Sequence, residues 1–191
     1  MKRVGIYGGS FDPIHNGHLI TIRDVIEQRK LETVFLIPTY ISPFKMDSKA
    51  TNENHRIEML KLASNELAEL EISTYEIERK GVSYTIDTLK YFKSKFDEIE
   101  LIIGYDNIVD FDKWKYPDEI FGIAEVVVMK RNVDSEISEN KYMSKATYID
   151  TPNIDISSTD IRERVKNNMP INFLVPDSVK DYILKNKLYT E

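Results

Sequence analysis

Short apolar runs alternate with amphipathic stretches along this chain, and that alternation constrains the fold more than any other feature. The apolar runs predict strands at residues 3–9, 33–38, 71–76, 100–104, 125–131 and 146–150. Apolar side chains at helical spacing predict helices at residues 17–30, 53–70, 85–96, 158–168 and 177–187. Polar residues 132–145 predict a mobile loop. Strands that alternate with helices form a parallel sheet covered on both faces, so we expect a doubly wound α/β fold.

Composition bounds the domain count and the classes of partner. The 191 residues suit one domain, 1–191, with a small helical subdomain at about 157–191 over the sheet edge. The formal net charge of -6 argues against a general nucleic-acid surface, which needs a basic patch. No stretch approaches the roughly 18 consecutive apolar residues of a membrane span. The absence of cysteine excludes disulfides and favours a reducing compartment, so we expect a cytoplasmic protein.

The stretch GGSFDPIHNGHL, from Gly8 to Leu19, holds two of the chain's three histidines. Gly8 and Gly9 end the first strand, where a parallel sheet binds its ligand and where glycines let the backbone approach a phosphate. His18 lies in the first turn of the next helix, whose N–H groups and positive partial charge favour anions. The spacing matches neither the G-x-x-x-x-G-K-[ST] loop nor the dinucleotide G-x-G-x-x-G motif. It predicts a strand–loop–helix cradle for an anion, with two added imidazoles.

The residues alone leave two uses open for the imidazoles of His15 and His18. They can donate hydrogen bonds to phosphate oxygens, or they can bind a metal ion. The metal is the weaker interpretation, because the sequence offers no evident third ligand and a helix N-terminus repels a cation. We therefore assign no metal-binding residue.

The same stretch resembles the signature of the nucleotidyltransferases with an H-x-G-H motif. Four further segments resemble the bacterial nicotinate-nucleotide adenylyltransferases and follow in that family's order. They are PTYISPFK at 38–45, KGVSYTIDTL at 80–89, IIGYDNIVDFDKW at 102–114 and ISSTDIRERV at 156–165. The resemblance implies a Rossmann-like fold and an enzyme of NAD biosynthesis. Its reaction transfers the adenylyl group of ATP to nicotinate mononucleotide and yields nicotinate adenine dinucleotide and pyrophosphate.

The acceptor in this reaction is a phosphate that is already ionised, so no general base is needed. The enzyme must hold the two substrates in line and stabilise charge around the α-phosphorus of ATP. The resemblance implies that four side chains supply the donors, namely His15, His18, Lys45 and Arg162. Ser157, Ser158 and Thr159 open a helix, so their hydroxyl and N–H groups can hold the pyrophosphate, and Arg162 lies one turn further along it.

Other contacts with ATP are expected where two strands end. Asp106 follows a buried strand and can accept hydrogen bonds from ribose hydroxyls. The residues expected to contact ATP are Gly8, Gly9, Ser10, Phe11, His18, Gly104, Asp106, Arg131, Ser157, Ser158 and Arg162. We expect Mg2+ to accompany the nucleotide, held mainly by phosphates and water because no acidic cluster is evident.

Binding of the nicotinate ring is expected at Thr85, Trp114 and Lys115. Thr85 opens a helix whose N–H groups favour an anion, the indole of Trp114 can stack on the ring, and the backbone N–H of Lys115 can add a donor. Two positions depart from the family pattern. Many members have histidine where Phe44 stands, and Tyr105 is bulkier than the small residue common at that position.

The sequence leaves two alternatives open. One is another transferase with the H-x-G-H motif, such as a pantetheine-phosphate adenylyltransferase or a cytidylyltransferase, although SYTIDT and DKW match the pyridine-nucleotide branch. The other is a non-catalytic nucleotide-binding module, against which the intact His15, His18, Lys45 and Arg162 argue. The expected partners are ATP and nicotinate mononucleotide, with no nucleic acid and no membrane, and a homo-oligomer stays open.

Overall fold

A computed structural model describes residues 3–44, 50–130 and 140–190. It contains strands β1 (Arg3–Gly9), β2 (Thr33–Pro38), β3 (Leu70–Ile72), β4 (Glu98–Gly104), β5 (Glu125–Lys130) and β6 (Thr147–Asp150). All pair in parallel in one sheet of order β3-β2-β1-β4-β5-β6. The chain thus winds outward from β1 in both directions, which confirms the expected doubly wound, Rossmann-like α/β fold.

Helices follow or connect these strands. The α-helices within the described residues are α1 (Asn16–Arg29), α2 (Glu53–Ser64), α3 (Tyr75–Arg79), α4 (Thr85–Lys93), α5 (Tyr105–Val109), α6 (Pro117–Ile123), α7 (Ser158–Lys166) and α8 (Asp177–Lys185). Short 3-10 turns occur at Phe111–Lys113 and Met143–Lys145. Among the residues that the structure describes, no helix is long and apolar enough to cross a membrane.

Two buried apolar clusters cover the two faces of the sheet. Ile22 of α1, Met59 of α2 and Val179 of α8 belong to the first, and Leu89 of α4 and Ile120 of α6 belong to the second. The helices after β6 therefore share a core with α1 and α2. The expectation of a single domain with a small helical C-terminal part stays a prediction.

The region between α2 and α4 differs from the sequence prediction. α2 ends at Ser64, well before Leu70, because Leu70 pairs with Val34 as the first residue of β3. The predicted strand 71–76 was too long, since β3 ends at Ile72 and residues 75–79 form α3. EISTYE reads as one strand in the sequence, but its last two residues, Tyr75 and Glu76, begin α3, in which only Glu76 is buried.

The predicted mobile loop at 132–145 is described only from residue 140 onward, and some side chains of that part are well packed. The Asn140 side-chain amide donates hydrogen bonds to the carbonyl oxygens of Ile108 and Val109, at 2.7 and 2.8 Å. Tyr142 is buried and its ring stacks on Phe121. Tyr142 therefore belongs to the second core and Met143 packs against it, whereas Lys141, Ser144 and Lys145 are exposed. The mobility of the loop stays a prediction.

Candidate active site

A cavity of about 480 Å³ opens at the carboxyl ends of the neighbouring strands β1 and β4. The sheet extends from β1 through β2 and β3 in one direction and from β4 through β5 and β6 in the other. Doubly wound sheets bind their ligands at such a switch point. The loop after β2 and the first turns of α4 and α5 complete the wall. The sequence-predicted site residues that line this cavity are Gly8, Gly9, Ser10, Thr85, Gly104, Asp106 and Trp114.

His15 and His18 cap the first turn of α1 reciprocally. The backbone N–H of His18 donates to Nδ1 of His15, and the backbone N–H of His15 donates to Nδ1 of His18, both at 3.3 Å. The two rings stack with their centroids 3.7 Å apart. A capping box normally pairs Ser or Thr with Glu or Gln three residues later, and here two imidazoles fill both positions. The spacing of the H-x-G-H motif is therefore the spacing of a helix cap.

This cap indicates which ring nitrogen of each histidine carries the proton. A neutral imidazole has one donor and one acceptor nitrogen, and Nδ1 of each ring accepts from the backbone. Nε2 is therefore the protonated nitrogen in both neutral rings and can donate to an anion. His15 is buried and His18 is half-buried, so the Nε2–H of His18 is the more accessible donor.

The surroundings of two glycines in this region differ: a side chain would be crowded at Gly17 and unobstructed at Gly8. A Cβ on Gly17 would lie 3.0 Å from Nδ1 of His15, which is tight enough to disturb the cap. Gly8 lines the cavity, and no atom lies within 4 Å of the place where its Cβ would stand. The backbone of Gly8 is thus open to a ligand, as the phosphate-cradle interpretation expects.

Buried groups support the loop between β1 and α1 from beneath. Phe11 is 2% exposed and packs edge-on against His18, so only its backbone is available to a nucleotide. The guanidinium group of Arg56, also 2% exposed, donates to the carbonyl oxygens of Ser10 and Thr51 at 2.8 and 3.0 Å. Burial lowers the pKa of Arg56 below its ordinary value. These contacts fix the backbone of the loop on its inner side.

α7 packs its first turn against the same loop. Ser158 Oγ donates to the carbonyl oxygen of Pro13, and Arg162 Nη1 donates to that of Asp12, both at 2.8 Å. Ser157 is the N-cap of α7 and accepts a backbone N–H of its first turn at 3.1 Å. Ser157, Ser158 and Arg162 do not line the cavity. The fold instead joins Ser158 and Arg162 to the loop that carries His15.

Asp12 ties this loop to two further segments, and sequence reasoning missed its role. Its buried carboxylate accepts a hydrogen bond from the Tyr189 hydroxyl at 2.7 Å and from the backbone N–H of Thr51 at 2.9 Å. Burial and the neighbouring carboxylate of Asp12 raise the pKa of Tyr189. A residue beyond α8 thus contacts the loop between β1 and α1 directly.

The other side of the cavity is formed by the turn after β4. Gly104 is the N-cap of α5, and Asp106 lies in the first turn of that helix with an exposed side chain. Tyr105, one of the two departures from the family pattern, also lines the cavity, and its ring lies 6.5 Å from that of Tyr148.

Aromatic side chains form a third wall around Trp114. Its ring stacks on the buried Phe111 at 4.8 Å between centroids and lies 6.4 Å from the ring of Phe44. Phe44, the second departure from the family pattern, is 56% exposed and therefore presents an apolar surface to the cavity mouth. Trp114 and Phe44 also line an adjoining cavity of about 440 Å³, so the two spaces share a wall.

Thr85 and Lys115 meet at this adjoining cavity. Thr85 is the first residue of α4 and makes no capping hydrogen bond through its side chain, because Tyr84 is the N-cap. The ammonium group of Lys115 lies 4.1 Å from the centre of the Tyr84 ring. The structure therefore brings Thr85, Trp114 and Lys115 together, as the sequence predicted.

Glu76 is a second residue that sequence reasoning missed. It lies in α3, is 6% exposed and lines the main cavity. Thr88 Oγ1 donates to its Oε1 at 2.6 Å, and the Ser83 side chain is also hydrogen-bonded to it. Burial raises the pKa of Glu76, and these two hydrogen bonds oppose the rise.

Two expected site residues, Lys45 and Arg131, lie outside the described residues, so their roles stay predictions. Within 3–44, 50–130 and 140–190, the His, Asp and Glu side chains form no group of three or more that could hold a metal ion. The described part of the chain therefore offers no protein cage for a cation.

The fold, the switch-point cavity and the histidine-capped helix together define a nucleotidyltransferase. Residues 6–164 match the family model described as cytidylyltransferase-like. The chain is 39% identical to the nicotinate-nucleotide adenylyltransferase of Bacillus subtilis, over 99% of both chains. It is 41% identical to a probable nicotinate-nucleotide adenylyltransferase of Clostridium beijerinckii, over 99% of this chain and 100% of that one. The chain belongs to the nicotinate-nucleotide adenylyltransferase family.

Solved structures support the fold. The nicotinic acid mononucleotide adenylyltransferase of Plasmodium falciparum complexed with NaAD superimposes with a TM-score of 0.77 at 23% identity, covering 99% of this chain and 98% of that one. The same enzyme complexed with APC gives a TM-score of 0.78 at 20% identity, with the same coverage. The comparisons confirm the family, the enzyme class and the function expected from the sequence.

Proposed function

We propose that the chain binds ATP and nicotinate mononucleotide at the β1–β4 switch point and joins them by direct in-line attack. A phosphate oxygen of the mononucleotide forms a bond to the α-phosphorus of ATP. The bond from that phosphorus to the bridging oxygen breaks, and pyrophosphate leaves with the electron pair. The observation that carries this proposal is the reciprocal cap of His15 and His18, because it makes Nε2 of both neutral rings a hydrogen-bond donor.

The donors around the α-phosphorus have separate roles. His18, the more accessible imidazole, stabilises the charge that develops on the phosphoryl oxygens, and His15 orders the cap and adds a second donor. Arg162 and Ser158 hold the leaving pyrophosphate from α7, with Ser157 at the cap of that helix. Lys45 adds a further donor for the charge around the α-phosphorus.

The acceptor ring occupies the space between Trp114 and the start of α4. The indole face of Trp114 stacks on the pyridine ring, and the N–H groups of Thr85 and Lys115 donate to the nicotinate carboxylate. A carboxamide presents an NH2 group to these donors and leaves hydrogen bonds unmade. Two such mismatches, at roughly 1–3 kcal/mol each, predict a preference of at least roughly 30-fold for the acid over the amide in kcat/KM.

Several accompanying inferences rest on this function. Asp106 accepts from the adenosine ribose. Mg2+ enters with ATP and neutralises phosphate charge, held by phosphate oxygens and water, because Mg2+ usually retains waters and needs few protein ligands. The enzyme acts in the cytoplasm and binds neither nucleic acid nor a membrane.

The test is a pyrophosphate-release assay with ATP or CTP as donor and with nicotinate or nicotinamide mononucleotide as acceptor. We expect turnover with ATP and the nicotinate form. Release with CTP in place of ATP would favour a cytidylyltransferase, and ATP binding without any release would favour a binding module.

A variant pair then tests the role of His18. Removing one transition-state donor should lower kcat by roughly 10²–10³-fold in His18→Ala. His55 is a matched control, because its ring pairs with Tyr182 at 2.9 Å and takes no part in the cap of α1, so His55→Ala should retain kcat. A kcat near the wild-type value in His18→Ala would refute the assignment.

A further inference from the structure

Glu76 joins three chain segments at the end of the cavity assigned to the acceptor. Its carboxyl group accepts from Thr88 Oγ1 in α4 and is hydrogen-bonded to the Ser83 hydroxyl just before α4. Ser83 Oγ in turn accepts the backbone N–H of Tyr40, in the loop after β2, at 3.0 Å. A hydroxyl has one hydrogen, so with its oxygen accepting from Tyr40, the Ser83 hydrogen is directed to Glu76.

The backbone repeats the same connection. The N–H of Ser83 donates to the carbonyl oxygen of Ile41 at 2.9 Å, and Ile41 pairs with Val82 in an isolated parallel bridge. The loop after β2 and the start of α4 are therefore joined by main-chain bonds and by the Ser83 hydroxyl, which accepts from Tyr40 and is itself hydrogen-bonded to Glu76. The loop carries Phe44, and α4 begins with Thr85.

We propose that Glu76 is a positioning residue for acceptor binding, which holds Ser83 and Thr88 so that the start of α4 and the loop after β2 keep the geometry that receives nicotinate. This inference rests on the proposed function, because it assumes that the acceptor ring lies between Thr85 and Trp114. Glu76 acts through Ser83 and Thr88, whose hydroxyls it engages, and we assign it no contact with a reacting atom.

Electrostatics alone predicts the opposite effect of neutralising Glu76 on acceptor binding. The direction of the change in acceptor binding therefore tests the proposal. A carboxyl group near an anionic ligand repels it when ionised, so neutralising Glu76 would strengthen acceptor binding if electrostatics dominated. The charged groups that face Glu76 are Arg79, which favours its ionised form, and Asp87, which opposes it; these two form an ion pair at 3.4 Å. If positioning dominates, neutralisation weakens acceptor binding instead.

Glu76→Gln is the first variant, because it keeps the side-chain volume and one acceptor oxygen but presents an NH2 group to one of the two hydroxyls. Losing a hydrogen bond to a charged group changes an equilibrium constant by roughly 10- to 100-fold. We therefore expect KM for nicotinate mononucleotide to rise by about 10-fold or more. KM for ATP should stay near the wild-type value. Glu78→Gln, on the same helix and hydrogen-bonded to Thr74 at the surface, is the matched control and should change neither constant.

Thr88→Val is the second variant and tests the same bond from its other end. It should raise the acceptor KM in the same direction, because it removes the hydrogen bond that Thr88 donates to Glu76. If Glu76→Gln does not fold, as judged by its thermal transition, the Thr88→Val result decides the proposal through the same split between the two KM values.

The possible outcomes separate this proposal from the proposed function. If the wild-type enzyme does not turn over nicotinate mononucleotide, the proposed function fails and takes this inference with it. If the wild type does so while the variants bind the acceptor as well as the wild type, or better, only the positioning role is overturned. An equal rise in both KM values would also overturn it, because general loosening of the fold produces that pattern.

Discussion

Tyr189→Phe removes a single hydroxyl group and with it the hydrogen bond that joins the segment after α8 to the loop between β1 and α1. The hydroxyl donates to Asp12 at 2.7 Å, and Asp12 is only 7% exposed. In the variant the Asp12 carboxylate retains the backbone N–H of Thr51 at its other oxygen. The substitution therefore leaves one oxygen of a buried carboxylate without its protein donor.

The structure allows the cost to be bounded. A hydrogen bond to a charged group contributes about 1.5–3 kcal/mol, and because Tyr189 is half-buried, water replaces part of that, which leaves about 1–2 kcal/mol. For a domain of this size, 1 kcal/mol corresponds to roughly 2–4 °C in Tm. We therefore expect Tm to fall by about 2–8 °C in thermal unfolding followed by circular dichroism.

Function should respond as well, because Asp12 also presents its carbonyl oxygen to Arg162. We expect a lower kcat/KM for ATP in Tyr189→Phe. Tyr182→Phe is the control, since Tyr182 is also a half-buried tyrosine whose hydroxyl pairs with a side chain, His55, at 2.9 Å. It should lose stability without a change in ATP kinetics. An unchanged Tm and unchanged ATP kinetics in Tyr189→Phe would show that the bond to Asp12 holds nothing in place.

Three further outcomes follow from other contacts. Arg162→Lys keeps the charge but loses the planar fork, so steady-state kinetics should show weaker ATP binding or slower turnover; a rise only in the acceptor KM would reverse the subsites. Trp114→Ala should raise the acceptor KM and spare that of ATP, and an unaffected variant would remove the stacking role. The raised pKa of Glu76 means that its carboxyl group stabilises the fold fully below pH 4.5 and loses that contribution as pH rises through the folded pKa. In urea denaturation, the unfolding free energy of Glu76→Gln should therefore fall further below that of the wild type at about pH 4 than at about pH 7. An equal difference in unfolding free energy at both pH values would contradict the raised pKa.

The sequence predicted those parts of the fold in which the local pattern is compatible with only one type of secondary structure. The run from Val126 to Met129 is apolar throughout, as expected of a strand buried on both faces, and it lies within β5. Leu70 fitted the helical spacing of α2 equally well, and its pairing with Val34 across the sheet decided otherwise. α6 was missed although Pro117 at its first position is a typical helix start.

Residues of the candidate site could likewise be predicted only where a local sequence pattern indicated them. His15, His18 and Gly17 are neighbours in the chain, so the motif alone indicated two imidazoles at the start of a helix that follows a glycine-ended strand. The reciprocal cap that these imidazoles form was not predicted. The bond between Asp12 and Tyr189 joins residues 177 positions apart, and no local pattern indicates such a contact. Glu76 was hidden for a different reason, since it stood in a segment predicted as a strand, and only as part of α3 does it reach Thr88.

Each imidazole of the H-x-G-H motif has two uses, one in the helix cap and one in the proposed chemistry. Nδ1 of each ring accepts from the helix backbone, and this in turn makes Nε2 the donor that chemistry requires. Asparagine or serine in place of His15 would cap α1 equally well, but neither would place a ring against His18. A side chain on Gly17 would disturb the cap at His15, at a distance of 3.0 Å. The stability of the α1 cap and the catalytic role that we propose for the histidines therefore involve the same hydrogen bonds. A loss of kcat in a histidine variant identifies a catalytic role only when the unfolding free energy of that variant is measured beside it.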